Sequence, residues 1–166
     1  MKKNNNGNTI LALVTSLLAI IGICVLFADA FGDDAGPVWG TGFETIFGYE
    51  SRNTVFCTGL FIAFLCDCFV LFLPFVSFFV PEKGRSPLYL FIGVIGIAGA
   101  TLALFAKPFF VASNTGNIFV GELGNEISNS LTLGTAFITN AVFMYLSAAL
   151  CLIGAYTGRN KKKDED

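Results

Sequence analysis

The sequence predicts an all-α integral membrane protein, an antiparallel four-helix transmembrane bundle with two extracytoplasmic loops. The first observation is composition: 54% of the residues are hydrophobic and only 13% are charged, whereas a soluble domain carries about 25% charged residues. The second is that four apolar runs are each long enough to cross the hydrocarbon core, which takes about 20 helical residues. The third is that Lys and Arg are concentrated in the segments that would lie on one side of the membrane.

The whole chain, 1–166, is expected to form a single membrane domain. The predicted spans are 9–28, 54–80, 87–106 and 131–157, with outer loops over 29–53 and 107–130 and cytoplasmic tails over 1–8 and 158–166. The polar connection over 81–86 is so short that it predicts an antiparallel turn between neighbouring helices. A cleaved secretory signal is the alternative for the first run, because Ala28-Asp29-Ala30 resembles a cleavage site. A signal has an apolar core of about 7–15 residues, so this longer run favours a retained span.

The second span, TVFCTGLFIAFLCDCFVLFLPFVSFFV, carries one carboxylate, Asp67, at its middle, and Pro74 is expected to kink its inner half. An ionisable group at the bilayer centre costs about 2.5–3.5 kcal/mol, so it is a candidate functional residue. Counting residues inward along the other spans brings polar side chains to a similar depth. The candidate hydrogen-bond partners of Asp67 are Asn140, Tyr145 and Thr101.

Three interpretations of Asp67 remain open. It can be a neutral carboxyl group that donates a hydrogen bond to one of these partners. It can be an ion or proton site in a small transporter or channel, which would need an oligomer because each chain offers one carboxylate. It can also pair with a basic group in a membrane helix of another protein.

Glycines in the third span predict close helix packing. Gly93, Gly96 and Gly99 recur every three residues, and small residues let helix backbones approach where apolar side chains gain nothing over lipid.

The first loop contains a short predicted helix. Thr41 and Glu44 have the spacing of a capping box, and Phe43, Ile46 and Phe47 then share one face before Gly48. We expect this helix to lie on the membrane interface, with Trp39 as an anchor at headgroup depth. A docking surface for a partner is the alternative.

The remaining chemistry argues against an enzyme. The chain has no histidine, which removes the commonest general base and metal ligand, and no catalytic constellation, cofactor site, metal site or nucleic-acid motif is recognisable. Cys24 and Cys57 could approach each other, although packing as small apolar residues is the favoured interpretation. Cys66 and Cys68 point to different helix faces and form no redox or zinc motif.

Charge predicts the orientation, because cytoplasmic segments carry an excess of Lys and Arg. The tails and the short turn hold eight such residues, whereas the long loops hold only Arg52 and Lys107. We therefore expect a multi-pass protein of the plasma membrane with both termini in the cytoplasm. The outer loops carry seven carboxylates: Asp29, Asp33, Asp34, Glu44, Glu50, Glu122 and Glu126.

The loop sequence TGFETIFG, residues 41–48, resembles a pattern in small, uncharacterised four-span membrane proteins of Gram-positive bacteria. The layout is loosely similar to that of claudins and tetraspan proteins. Their diagnostic loop cysteines are missing, and the single Trp39 does not complete the claudin signature, so claudin function is not carried over.

These observations favour a non-enzymatic membrane scaffold or accessory subunit that presents its outer loops to a partner. The expected partners are the lipid bilayer and either further copies of the chain or another membrane protein. The alternative is an oligomeric ion- or proton-coupled small transporter or channel that uses Asp67.

Overall fold

The computed structural model describes residues 6–33, 40–48, 54–115 and 131–163. Over these residues the chain forms six helices and two short strands, which confirms the predicted all-α helical bundle. The elements are α1 (Asn6–Val25), β1 (Phe31–Asp33), α2 (Gly42–Phe47), α3 (Thr58–Val76), α4 (Glu82–Leu104), α5 (Ala106–Thr115), β2 (Leu131–Leu133) and α6 (Thr135–Lys163).

Four of the helices are long and apolar enough to cross a membrane. The candidate spans are Gly7–Val25, Thr58–Val76, Glu82–Leu104 and Thr135–Thr157. Large apolar side chains such as Leu17, Phe72 and Val94 are exposed on their outer faces, where a membrane protein meets lipid. The chain is therefore a multi-pass integral membrane protein.

The four long helices pack as a ring. α1 and α4 each contact both α3 and α6, so that α3 and α6 face each other across the centre of the bundle. α3 ends at Val76, two residues after Pro74, and does not continue as a kinked helix to residue 80. The predicted polar connection over 81–86 is helical from Glu82 onward, so α4 begins directly after Pro81. We call this end of the bundle, with the connection between α3 and α4, the turn end.

The opposite end is closed by a folded layer, which we call the cap: β1, α2, α5, β2 and the residues joining them to the long helices. β1 and β2 pair antiparallel, with Phe31 opposite Leu133 and Asp33 opposite Leu131. α5 begins at the last residue of the predicted third span and continues into the segment 107–130, for which only a loop was predicted. The ring of Phe31 is fully buried, with its centroid 5.0 Å from that of Phe110 and 5.8 Å from that of Phe137.

The capping box of α2 is confirmed. The Thr41 hydroxyl accepts from the Glu44 amide at 3.3 Å, and the Glu44 carboxylate accepts from the Thr41 amide at 2.9 Å. Ile46 is buried, and the rings of Phe43 and Phe47 both lie against Phe64 of α3, with centroids 5.6 and 5.8 Å away. Trp39, the expected interfacial anchor, lies outside the described residues.

The three glycines of α4 lie where helices approach closely. An added Cβ at Gly93 would stand 2.8 Å from the Leu152 side chain, and one at Gly96 would stand 3.0 Å from the Ala148 Cβ of α6. At Gly99 it would stand 2.7 Å from the Cys66 Cβ of α3. α4 therefore uses these glycines to approach two neighbours at once.

Candidate intramembrane polar site

Asp67 lies in the interior of the bundle. It is the tenth of the 19 residues of α3, and only 1% of its surface is exposed. Its side chain points across the ring toward α6, where Asn140 is equally buried. The two residues therefore connect the helices that face each other across the bundle.

Asn140 holds two oxygens with one amide nitrogen. Its Nδ2 donates to Asp67 Oδ2 at 2.9 Å and to the Gly22 carbonyl oxygen at 3.1 Å. The Gly22 carbonyl is available because α1 tightens as it ends, so that the Leu26 amide donates to Ile23 instead, at 3.0 Å. Carbonyls in the last turn of a helix need such outside donors. Asn140 thus caps α1 and binds Asp67 at the same time.

The Gly22 contact fixes the orientation of the Asn140 amide and so indicates which Asp67 oxygen carries a proton. A backbone carbonyl only accepts hydrogen bonds, so the Asn140 atom facing it must be the amide nitrogen and not the amide oxygen. Because the same nitrogen faces Asp67 Oδ2, that oxygen accepts a hydrogen bond and does not donate one. A proton on Asp67 is therefore favoured on Oδ1, because the hydroxyl oxygen of a carboxyl group is the weaker acceptor of the two.

Asp67 Oδ1 is the one buried side-chain oxygen or nitrogen in the described part of the chain that has no hydrogen-bond partner. It points toward α4, since an added Cβ on Gly99 would stand 3.3 Å from it. Buried polar atoms without a partner are rare and costly, so each calls for an explanation. The central feature of this site is thus a carboxyl group with one oxygen bonded by Asn140 and the other without a partner among the described residues.

Thr101 and Tyr145 lie apart from this pair. Their hydroxyl oxygens are 3.0 Å from each other, and Thr101 also donates to the Ile97 carbonyl at 2.7 Å. Tyr145 is 37% exposed, on the outer face of the bundle. The structure therefore joins these two candidates to each other, and of the three candidate partners it is Asn140 that bonds Asp67.

A second polar cluster at the turn end was not found from the sequence. Asn8 Nδ2 donates to Ser77 Oγ at 3.2 Å, and the Tyr89 hydroxyl lies 3.1 Å from Ser77 Oγ and 2.9 Å from Asn8 Oδ1. Arg85 Nε donates to the Ser77 and Val80 carbonyls at 3.1 and 3.2 Å, which caps the end of α3. The available signal was that these polar residues all lie near span ends on one side.

Small polar groups also line the interface of α1 and α6. Ser147 Oγ donates to the Phe143 carbonyl at 2.9 Å and lies 3.4 Å from the Thr15 carbonyl. The five cysteines are free thiols, with Cys24 exposed and Cys57 buried. No three His, Cys, Asp or Glu side chains come together as a metal site within the described ranges.

Comparisons with known proteins place no relative beside this chain. No protein-family model matches it, and no curated protein and no solved structure matches it either.

Proposed function

We propose that this integral membrane protein is a non-enzymatic scaffold or accessory subunit that presents its outer loops to a partner protein. The observation that carries this proposal is the pairing of Asp33 with Leu131 in the cap. Asp33 is the described residue that precedes segment 34–39 in the sequence, and Leu131 is the one that follows segment 116–130. Two outer segments that are distant in sequence are therefore attached to the cap at neighbouring residues, which favours a composite binding surface.

Charge supports both the orientation and the nature of the partner. Lys and Arg number eight on the turn-end side of the sequence and two on the cap side, which favours cytoplasmic termini. Seven carboxylates lie in the cap-side segments, and Glu44 is used within its capping box. The remaining carboxylates favour a partner with a basic extracytoplasmic surface.

In-cell crosslinking of the full-length protein tests the proposal. A photoreactive residue at position 38 should yield one discrete crosslinked partner, and replacing Asp34, Glu122 and Glu126 with their amides should reduce the yield at least severalfold. The matched control neutralises three turn-end carboxylates, Glu82, Asp164 and Glu165, and should leave the yield unchanged. Absence of a discrete product, or equal loss in both variants, would contradict the proposal.

The second candidate is an oligomeric ion- or proton-coupled transporter or channel, which the unoccupied Asp67 Oδ1 favours. Reconstituted protein would then move protons or cations across a vesicle membrane, and Asp67→Asn would abolish that flux. A flux that is equal in wild type and variant, or no flux above that of empty vesicles, would exclude this candidate.

A further inference from the structure

We propose that Asp67 is a reversible proton-binding site, that its proton occupies Oδ1, and that proton binding holds α3 closed against α4. The inference deepens the second candidate by naming the ligand. It does not depend on transport, because proton binding at equilibrium can be measured without any flux. It is equally independent of a partner for the outer loops.

The arrangement of donors selects a proton over a metal cation. The amide hydrogens of Asn140 already bond Asp67 Oδ2 and the Gly22 carbonyl, which leaves one carboxylate oxygen, Oδ1, without a partner. Hard divalent cations take about six or more oxygen ligands, whereas a proton needs one. Asp67 Oδ1 is the single unoccupied buried side-chain oxygen among the described residues, so the site matches a proton.

No positive charge meets this carboxylate among the side chains that the structure describes. On α3 its neighbours in sequence are the thiols of Cys66 and Cys68, and on α4 it faces Gly99. The Tyr89 hydroxyl of α4 lies elsewhere, at the turn end, where it bonds Asn8 and Ser77. On α6, Tyr145 bonds Thr101, and the Cys151 thiol lies 3.8 Å from Thr15 Oγ1 of α1. The remaining ionisable group of α1, Cys24, is exposed.

Closure at Gly99 links protonation to helix packing. A charged Oδ1 without a donor is far more costly in an apolar interior than a neutral carboxyl group. The charged form therefore favours an arrangement in which water reaches Oδ1, and this requires α3 and α4 to separate at the tight contact of Gly99 with Cys66. The neutral form favours the closed packing.

Proton binding at Asp67 is an acid–base equilibrium with water. Asp67 Oδ1 takes a proton from hydronium, an O–H bond forms, water is released, and the charge of the carboxyl group rises from −1 to zero. Loss of the proton to water reverses each change.

Infrared difference spectroscopy of the purified full-length protein between acidic and alkaline pH tests proton binding. Wild type should show one protonated-carboxyl band from a non-aqueous site, present at the acidic end and lost at the alkaline end. Asp67→Asn should lack this band, whereas the control Glu44→Gln should retain it. A band that does not change with pH, or identical spectra for wild type and Asp67→Asn, would overturn the proposal.

A labelling experiment covers the case in which Asp67→Asn does not fold. Carbon-13 aspartate should shift the band, and amide replacement of the aspartates outside the spans should leave it in place. Those aspartates are Asp29, Asp33, Asp34, Asp164 and Asp166. A band that is unmoved by the label, or lost with these five residues, would overturn the assignment to Asp67.

Hydrogen exchange tests the coupling to helix packing. Peptides around Ala63 and Gly99 should exchange severalfold faster in wild type than in Asp67→Asn at alkaline pH, and at equal rates at acidic pH. Comparing the two proteins at each pH removes the intrinsic pH dependence of exchange. Equal rates at both ends would overturn the coupling of protonation to closure.

Discussion

The polar cluster at the turn end and the site at Asp67 each join three elements by hydrogen bonds, but only the cluster at the turn end leaves none of its side-chain polar atoms without a partner. Asn8, Ser77 and Tyr89 join α1, the end of α3 and α4 in a closed triangle, in which each side chain donates one hydrogen bond and accepts another. Gly22, Asp67 and Asn140 join α1, α3 and α6, but Asp67 Oδ1 has no partner. A fully hydrogen-bonded network stabilises one packing arrangement, whereas a buried oxygen without a partner destabilises the folded state. Helix packing alone therefore explains the turn-end cluster but not the site at Asp67.

Removing the donor of the central site should have the largest effect. Asn140→Leu leaves Asp67 Oδ2 and the Gly22 carbonyl without their shared donor, and each buried acceptor left unsatisfied costs about 1–3 kcal/mol. We expect Asn140→Leu to lose more unfolding free energy than the single variants at Gly99, Tyr89 and Tyr145, as measured by denaturant titration in mixed micelles. The double variant with Asp67→Leu removes one of the orphaned acceptors and should be more stable than Asn140→Leu alone. A double variant that is no more stable would show that the pair is not coupled.

Filling the space beside Oδ1 should have the next largest effect. An alanine at Gly99 puts its Cβ 2.7 Å from the Cys66 Cβ, and such overpacking costs about 1–3 kcal/mol. Gly7→Ala in α1 is the matched control, because nothing lies within 4 Å of its added Cβ and alanine favours the helix. We expect a lower melting temperature for Gly99→Ala and no loss for Gly7→Ala. Equal melting temperatures would contradict the close contact of α3 and α4.

Breaking the turn-end triangle should have a smaller effect. Tyr89→Phe removes the hydroxyl shared by Ser77 and Asn8, and side-chain hydrogen bonds between membrane helices contribute about 0.6–1.7 kcal/mol. Asn8 Nδ2 and Ser77 Oγ keep their direct bond, so the loss of unfolding free energy should be about 1 kcal/mol or less in the same assay. A loss exceeding that of Asn140→Leu would reverse the comparison of the two clusters.

The same change at the exposed pair should have the smallest effect. Tyr145→Phe removes a hydroxyl that is part of a surface contact, and Thr101 keeps its bond to the Ile97 carbonyl. We expect an unfolding free energy within about 0.5 kcal/mol of wild type, as for surface substitutions elsewhere. A larger loss would give this pair a structural role that its exposure does not indicate.

The sequence predicted the elements whose signals are local. Apolar runs longer than a membrane is thick indicated the four spans, and the Thr41–Glu44 spacing indicated α2. Strands of three residues have too little periodicity to be recognised, and β1 and β2 pair across 100 residues. α5 was missed because Lys107, Pro108 and Asn114 are typical of loops, although proline is compatible with the first turn of a helix.

The central site was predicted in part because residue counting fixes depth only to within about a turn. Asp67 is the tenth residue of α3, whereas Asn140 is the sixth residue of α6. α3 thus extends about one turn further into the cap, a turn being about 5.4 Å. Counting inward from a common level places Met144 and Tyr145 beside Asp67, with Asn140 about a turn further out. No sequence signal indicated that the end of α1 would free the Gly22 carbonyl and orient Asn140.

The pairing of β1 with β2 has a consequence for biosynthesis. β1 is made early, but its partner emerges only after α3, α4 and α5 have been synthesised. A chain truncated before residue 131 leaves the edge of β1 unpaired and removes Leu133 and Phe137 from the surroundings of Phe31. An unpaired strand edge invites association with other chains. Closure of the cap thus depends on synthesis reaching β2, and a chain interrupted earlier exposes the edge of β1.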